Sequence, residues 1–177
     1  MFFSTMLGTI DYGGSCSSSS NDNLSKAMDN NTIIFNPLAE GTYDNCTISV
    51  TSGGVASDNL SVSSFTIDIT APTLAETTLV PSLTNDNVTQ YTFSSTEGGT
   101  FTIGGHCSNG SDNNTVVADN MTVSFAALPD GYYADCTITV TDSAGNKYTI
   151  DVNPFIIDTT APILAEVIAV PNRTNSD

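Results

Sequence analysis

Gly131-Tyr-Tyr-Ala-Asp-Cys-Thr-Ile-Thr-Val140 decides the fold, because nearly the same stretch occurs earlier as Gly41-Thr-Tyr-Asp-Asn-Cys-Thr-Ile-Ser-Val50. Cys136 and Cys46 stand 90 residues apart. In both copies Cys, Ile and Val alternate with Thr or Ser, the period of a strand that buries one face. Moving outward, Phe65-Thr-Ile-Asp-Ile-Thr-Ala-Pro-Thr-Leu-Ala-Glu76 returns as Phe155-Ile-Ile-Asp-Thr-Thr-Ala-Pro-Ile-Leu-Ala-Glu166, again 90 residues on. Between Cys16 and Cys107 the offset is 91, so one copy carries a compensating one-residue indel. Similarity at this period marks an array of like modules.

The second copy reads as a run of short strands. Tyr91 and Phe93 alternate with polar residues until Glu97-Gly98-Gly99 turns the chain. Phe101 and Ile103 follow, then a polar loop from Ser108 to Asn120. Met121, Val123 and Phe125 alternate again, as do Cys136, Ile138 and Val140. The turn Asp142-Ser-Ala-Gly-Asn146 precedes Tyr148, Ile150 and Val152, which lead into a last strand. Short strands between Gly/Asn/Asp turns predict an all-β sandwich, and no segment sustains a helical period.

Charge narrows the partners. Nineteen acidic residues face three basic ones, for a net charge of −16. Such a surface repels phosphates and anionic headgroups, so neither nucleic acid nor membrane is an expected partner. No stretch approaches the roughly 18 apolar residues of a membrane span. Ser, Thr, Asn and Gly supply most of the polarity, which suits strands joined by turns.

The four cysteines, in two similar spacings, read as two disulfides and an oxidising, extracellular compartment. Zinc is the competing reading, but no C-x-x-C pair is present. The expected pairs are Cys16–Cys46 and Cys107–Cys136, one inside each copy. Closing a loop of about 30 residues stabilises by about 3.6 kcal/mol in the chain-entropy model. Tyr43 and Tyr133 each lie three residues before a Cys and just after a turn, the placing of a tyrosine corner. The odd spacing predicts a β-bulge near Asp44-Asn45 and Ala134-Asp135, so that Tyr and Cys share a face.

With Leu128-Pro-Asp-Gly-Tyr132, Val140-Thr-Asp-Ser-Ala-Gly-Asn146 and Phe155-Ile-Ile-Asp-Thr-Thr-Ala-Pro162 in place, the chain resembles the bacterial immunoglobulin-like tandem repeats of surface adhesins and extracellular structural proteins. The resemblance implies tandem immunoglobulin-like antiparallel sandwiches of seven strands, stacked head to tail. It divides the chain into a first module over 1–68 without its opening strand, a second over 69–158, and an opening strand over 159–177. It also implies a structural or adhesive role outside the cell, and some relatives hold calcium between modules. Candidate calcium ligands are Asp68 and Asp158, which precede Thr70-Ala-Pro72 and Thr160-Ala-Pro162, with Asp142 as a partner. The competing reading makes these solvated acids that cap turns. Ser52 and Ala56 replace Asp142 and Asn146 in the first copy, which sets any site built on them apart from the repeat.

Enzyme chemistry finds no support. His106 is the sole histidine and Ser15 takes its place in the first copy. With the cysteines paired, a nucleophile has no general base, and no phosphate loop, zinc-protease motif or nucleophile elbow occurs.

The copies are cut within modules. Aligning Met1 with Tyr91 leaves the first module without a match for 70–90, while 160–177 repeats that opening segment with no module after it. Two readings fit: a window on a longer covalent array, or a strand that completes a neighbouring subunit. In the second, Leu164, Val167, Ile168 and Val170 are the assembly residues. The expected function is an extended stalk or filament whose partners are copies of itself or adjacent repeats. The rival is an adhesin that contacts a glycan or surface receptor through the loops Ser17–Asn31 and Ser108–Asn120.

Overall fold

Alternation becomes strand wherever the apolar face finds a sheet to pack on. The structure, a computed structural model, describes residues 1–17, 24–25, 27–111, 113–165 and 167. It divides into two compact units, Met1–Thr70 and Ala71–Asp177. Both are all-β; one 3-10 turn, Gly14–Cys16, is the only helical element among the described residues.

Unit 1 holds β1 (Phe2–Ser4), β2 (Gly8–Gly13), β3 (Leu24–Ser25), β4 (Asp29–Asn31), β5 (Gly41–Tyr43), β6 (Thr47–Ser52), β7 (Val55–Ala56), β8 (Leu60–Ser61) and β9 (Phe65–Ile67). Its strands pair in the order β3-β2-β6-β7, with β8 also on β6, and as the pairs β1-β4 and β5-β9, all antiparallel. Unit 2 holds β10 (Leu74–Thr78), β11 (Leu83–Thr84), β12 (Gln90–Ser95), β13 (Gly99–Gly104), β14 (Thr115–Val116), β15 (Asn120–Ser124), β16 (Gly131–Tyr133), β17 (Thr137–Thr141), β18 (Lys147–Asp151) and β19 (Phe155–Ile157). Their orders are β10-β12-β15, β14-β13-β17-β18 and β11-β19-β16.

In unit 2 these sheets enclose one continuous, sandwich-like core that includes Tyr91, Phe93, Phe101, Phe125, Ile138, Val140, Phe155 and Ile157. Phe155 is its centre, stacked on Tyr133 at 5.2 Å and on Phe125 at 6.1 Å between ring centroids. Unit 1 has two smaller clusters, one around Phe2, Ile10 and Ile48, the other around Cys16, Tyr43 and Cys46. Phe65 occupies the place of Phe155 but is only half-buried.

Three sequence expectations are corrected. The first is the bulge. Tyr133 faces Phe155, and four residues on Thr137 faces Asp151, four residues back along its partner. Neither strand gains a residue, and Val152 N–H donates to the Cys136 carbonyl at 2.8 Å between them. The ladder is interrupted and resumes in one register. Both strands change their buried face at the same level, Tyr133 to Cys136 on one and Val152 to Phe155 on the other. A shared bend in the paired strands therefore does what an added residue was expected to do. Unit 1 repeats this, with Tyr43 opposite Phe65 and Thr47 opposite Ser61.

The second correction is the alignment of Met1. Phe2 and Ser4 are buried as Phe93 and Ser95 are. Ser4 Oγ donates to the Met6 carbonyl at 2.6 Å, as Ser95 Oγ does to the Glu97 carbonyl at 2.6 Å. Met1 therefore corresponds to Thr92 rather than Tyr91, and the 91-residue offset holds from Met1 through Cys16 to the β3 strand at Ser25, which pairs as Val116 does. The third concerns the polar loop after Gly105, which contains a further short strand, β14, on β13. It buries Val116 alone, too little apolar signal to show as a period.

The opening segment of unit 2 serves two sheets. β10 pairs antiparallel with β12, and β11 then pairs parallel with β19. At the crossing, the Asn153 side chain accepts from Val80 N–H at 3.0 Å and donates to the Val80 carbonyl at 2.8 Å. Both backbone groups of a buried residue are thereby satisfied away from any ladder.

Candidate functional site

Features that occur twice are framework. Cys16–Cys46 and Cys107–Cys136 are bonded, with Cα separations of 5.2 and 5.3 Å, and no described cysteine is free. Each bond ties the end of β2 or β13 to the start of β6 or β17. The tyrosine corners are also present. Tyr43 Oη donates to the Ala39 carbonyl at 2.8 Å and Tyr133 Oη to the Pro129 carbonyl at 2.9 Å. Each pins the start of a strand to the turn before it. Tyr133→Phe is expected to lower the stability of unit 2 by about 1 kcal/mol, the usual net worth of one intramolecular hydrogen bond; chemical denaturation checks this.

A latch closes the last segment of each unit. In unit 2 the Asp130 carboxylate accepts from Thr159 N–H at 2.9 Å, Thr159 Oγ1 at 2.7 Å and Thr160 Oγ1 at 2.8 Å. In unit 1 Glu40 accepts from Thr70 Oγ1 at 2.6 Å. The sequence flagged the Thr-Ala-Pro segments but not Glu40 and Asp130. The signal was there, since an acid precedes Gly41 and Gly131 in both copies.

The candidate metal ligands have local tasks. Asp68 Oδ1 accepts from Thr70 N–H and Asp158 Oδ1 from Thr160 N–H, each at 3.1 Å, which makes both the first residue of an Asx turn. Asp142 is buried. Its Oδ1 accepts from the N–H groups of Ala144, Gly145 and Asn146 at 2.8, 2.7 and 2.9 Å, and its Oδ2 from Asn146 Nδ2 at 2.9 Å. Sequence reading named Glu97 only as part of a turn, yet one of its carboxylate oxygens lies within 4.8 Å of one of Asp142. Met6 takes its place in unit 1. The first copy closes the same hairpin with Gly53 and Gly54, at φ +58° and +82°, where a two-residue turn requires the left-handed region. Asp142 is thus one of two chemical solutions to one turn.

A second substitution of this kind lies beside the disulfides. In unit 1 Asn45 Oδ1 accepts from Ser15 N–H at 2.9 Å and Ser15 Oγ at 2.6 Å. In unit 2 the Asp135 carboxylate accepts from His106 N–H at 3.2 Å and meets His106 Nδ1 at 2.6 Å. His106 is exposed and pairs with this one carboxylate. Ser/Asn in one unit and His/Asp in the other make the same loop-to-strand contact.

At Asp142 and Asp135 unit 2 therefore relies on ionised groups where unit 1 uses neutral ones, while the latch acids Asp130 and Glu40 occur in both. The His106 N–H holds the Asp135 carboxyl below the usual carboxylate range, against opposing desolvation. The Thr159 hydroxyl and N–H, then the Thr160 hydroxyl, lower Asp130. For Asp142 burial pushes upward, but the donors from Asn146, Gly145 and Ala144 together outweigh it and the carboxyl is lowered. A folded pKa below the unfolded value, about 3.9, gives stability that is present above it. That stability is lost as pH falls through the folded pKa. Acid is expected to melt unit 2 over the range below about pH 4, and Asp142→Asn to flatten that dependence. Melting followed across pH by amide exchange in each unit checks both.

Leu164 and Val167, two of the four assembly residues, are 95% and 92% exposed; Ile168 and Val170 lie outside the described residues. No helix among the described residues is long and apolar enough to cross a membrane. Two disulfides indicate an oxidising, extracellular type of environment. Compared with known proteins, the chain matches no protein-family model and no curated protein.

Proposed function

We propose that the chain is an extracellular structural repeat protein, whose immunoglobulin-like modules follow one another end to end as part of an extended stalk or filament. One observation carries this reading: contacts that the two units share fix the framework, whereas His106, Glu97 and Asp142 occur in unit 2 only. Disulfide, tyrosine corner and threonine latch appear twice. His106, Glu97 and Asp142 have Ser15, Met6 and Ser52 in their places. A repeat kept for chemistry at those three residues would hold them in each copy, and one kept for mechanical continuity would hold its clamps.

The latch supports this reading directly. Asp130 and Glu40 tie down the threonine before Ala-Pro, and proline fixes φ at the next step, so the exit of each module is stiffened. A module of this construction advances an array by roughly 35–40 Å. The binding-module reading makes a separate prediction. Exchanging 108–120 between related repeats would then transfer recognition of a glycan or receptor with the loop. A glycan-array screen of the native chain and the loop-exchanged variant is expected to show no binding by either; binding that travels with the loop would replace the structural reading.

A further inference from the structure

In unit 2 the central strand β12 is covered on both sides, by β15 and by β10. Its counterpart β1 in unit 1 pairs, among the described residues, with β4 alone. The shared pairing is the same on the covered side: Phe2 faces Asn31 as Phe93 faces Met121, the residue at the place of Asn31. On the other side β1 presents a free edge. Beside that edge a cleft opens between β1, β6 and β8, lined by Phe2, Phe3, Ile48, Val50 and Leu60. In unit 2, β10 fills this place, where it pairs with β12 and touches β18, the counterpart of β8. It lays Leu74, 6% exposed, into the core, and Val80 follows at 1%.

One other segment of the chain has the sequence of β10. Leu164-Ala165-Glu166 repeats Leu74-Ala75-Glu76, and Val170-Pro171 repeats Val80-Pro81. Yet Leu164 is 95% exposed where Leu74 is buried, and Ile163 and Val167 are 92% exposed. Exposed apolar side chains at 163, 164 and 167 and an apolar cleft beside β1 are thus present in one polypeptide. Residues 160–170 carry a single charge, Glu166, so the strand itself brings little of the chain's net charge of −16 to the cleft.

We propose that the free edge of β1 takes residues 164–170 of a second copy of the chain as an added antiparallel strand. The β10–β12 register, carried over, sets Leu164 opposite Ser4, Ala165 opposite Phe3, Glu166 opposite Phe2 and Ile168 opposite Met1. Ladder hydrogen bonds supply affinity, and Leu164 and Val170 in the cleft fix the register. Because donor and acceptor surfaces differ, the contact is heterologous and propagates head to tail. This deepens the structural reading above and rests on it.

Sedimentation of the full chain from low micromolar to near-millimolar concentration tests the proposal. The mass is expected to rise from that of the 18.5 kDa chain to multiples of it. Leu164→Asp is expected to weaken association at least about tenfold, equivalent to 1.4 kcal/mol. Leu164 is exposed, so this variant leaves the melting of unit 2 unchanged. A synthetic peptide of residues 160–177 is expected to bind the chain and shorten the assemblies. A chain that stays monomeric throughout overturns the proposal, as does association unaffected by Leu164→Asp. A monomer that protects its own 160–177 from protease also overturns it. Scattering from the Leu164→Asp monomer tests the stalk reading separately, so the two can fail independently.

Discussion

Reducing both disulfides is expected to unfold unit 1 at room temperature while unit 2 stays folded. Each bond closes a loop of about 30 residues, worth about 3.6 kcal/mol through the unfolded chain. The loss is alike in size, but the reserves differ. Unit 2 surrounds its bond with one core that runs from Leu74 to Ile157 and holds five fully buried aromatic rings: Tyr91, Phe93, Phe101, Phe125 and Phe155. In unit 1 Cys16 and Cys46 are themselves two of the three buried members of their cluster. The other cluster, among the described residues, has three buried members as well. Small domains with so little buried surface commonly depend on a covalent tie. Cys16→Ser with Cys46→Ser, and Cys107→Ser with Cys136→Ser, separate the two effects. Amide exchange resolved by unit should show the first pair erasing protection in unit 1, and the second lowering that of unit 2 without abolishing it. Equal loss in both units would contradict the asymmetry.

Phe155→Ala is expected to cost unit 2 about 3–5 kcal/mol, the range for a large ring removed from a tight core. The ring is 1% exposed and stacks on both Tyr133 and Phe125, so its removal leaves a cavity that two rigid neighbours cannot close. Phe65→Ala, at the same place in unit 1, is expected to cost closer to about 2 kcal/mol, because a half-buried ring gives up less apolar contact. Denaturant melts of the two variants, each with its unit followed separately, read the difference. Equal costs would mean that unit 1 is packed as tightly as unit 2.

Much of the fold was legible because the chain states it twice. Period-two alternation around Ile138 and Val140 located β17, and the same residues at Ile48 and Val50 located β6. The disulfide pairing followed from similar spacings in the two copies, 30 and 29 residues. What the sequence hid was of two kinds. Short polar strands such as β11 and β14 bury at most one side chain each, so they leave no period to read. Parity also misled at Tyr133 and Cys136: an odd spacing admits an added residue or a shared bend, and only the cross-strand register separates them. Asp68, Asp158 and Asp142, candidate calcium ligands by sequence, stand beside turns. Each accepts a hydrogen bond from its turn, a task that the residue types alone express equally well.

The Asp142 turn and the His106–Asp135 contact show why copies within one chain are informative. Where Gly53-Gly54 and Ser15–Asn45 do the same work without charge, ionisation at Asp142 and Asp135 is one solution among several. Groups that the fold can replace so readily are poor foundations for chemistry. Clamps that reappear with the same geometry, such as Tyr43 and Tyr133, are what the repeat retains.

Small-angle X-ray scattering of the Leu164→Asp chain in solution tests the structural account most directly. The proposed end-to-end order of two modules, with the exit of unit 1 stiffened by the Glu40 latch, predicts an elongated particle whose longest dimension is about twice the roughly 35–40 Å advance of one module. That length should shorten or blur when Glu40→Ala releases the latch at the exit of unit 1, while Asp130→Ala, at the far end of unit 2, leaves it unchanged. A particle with the dimensions of a single compact globule, unchanged by Glu40→Ala, would contradict the reading of this chain as a piece of an extended structural array.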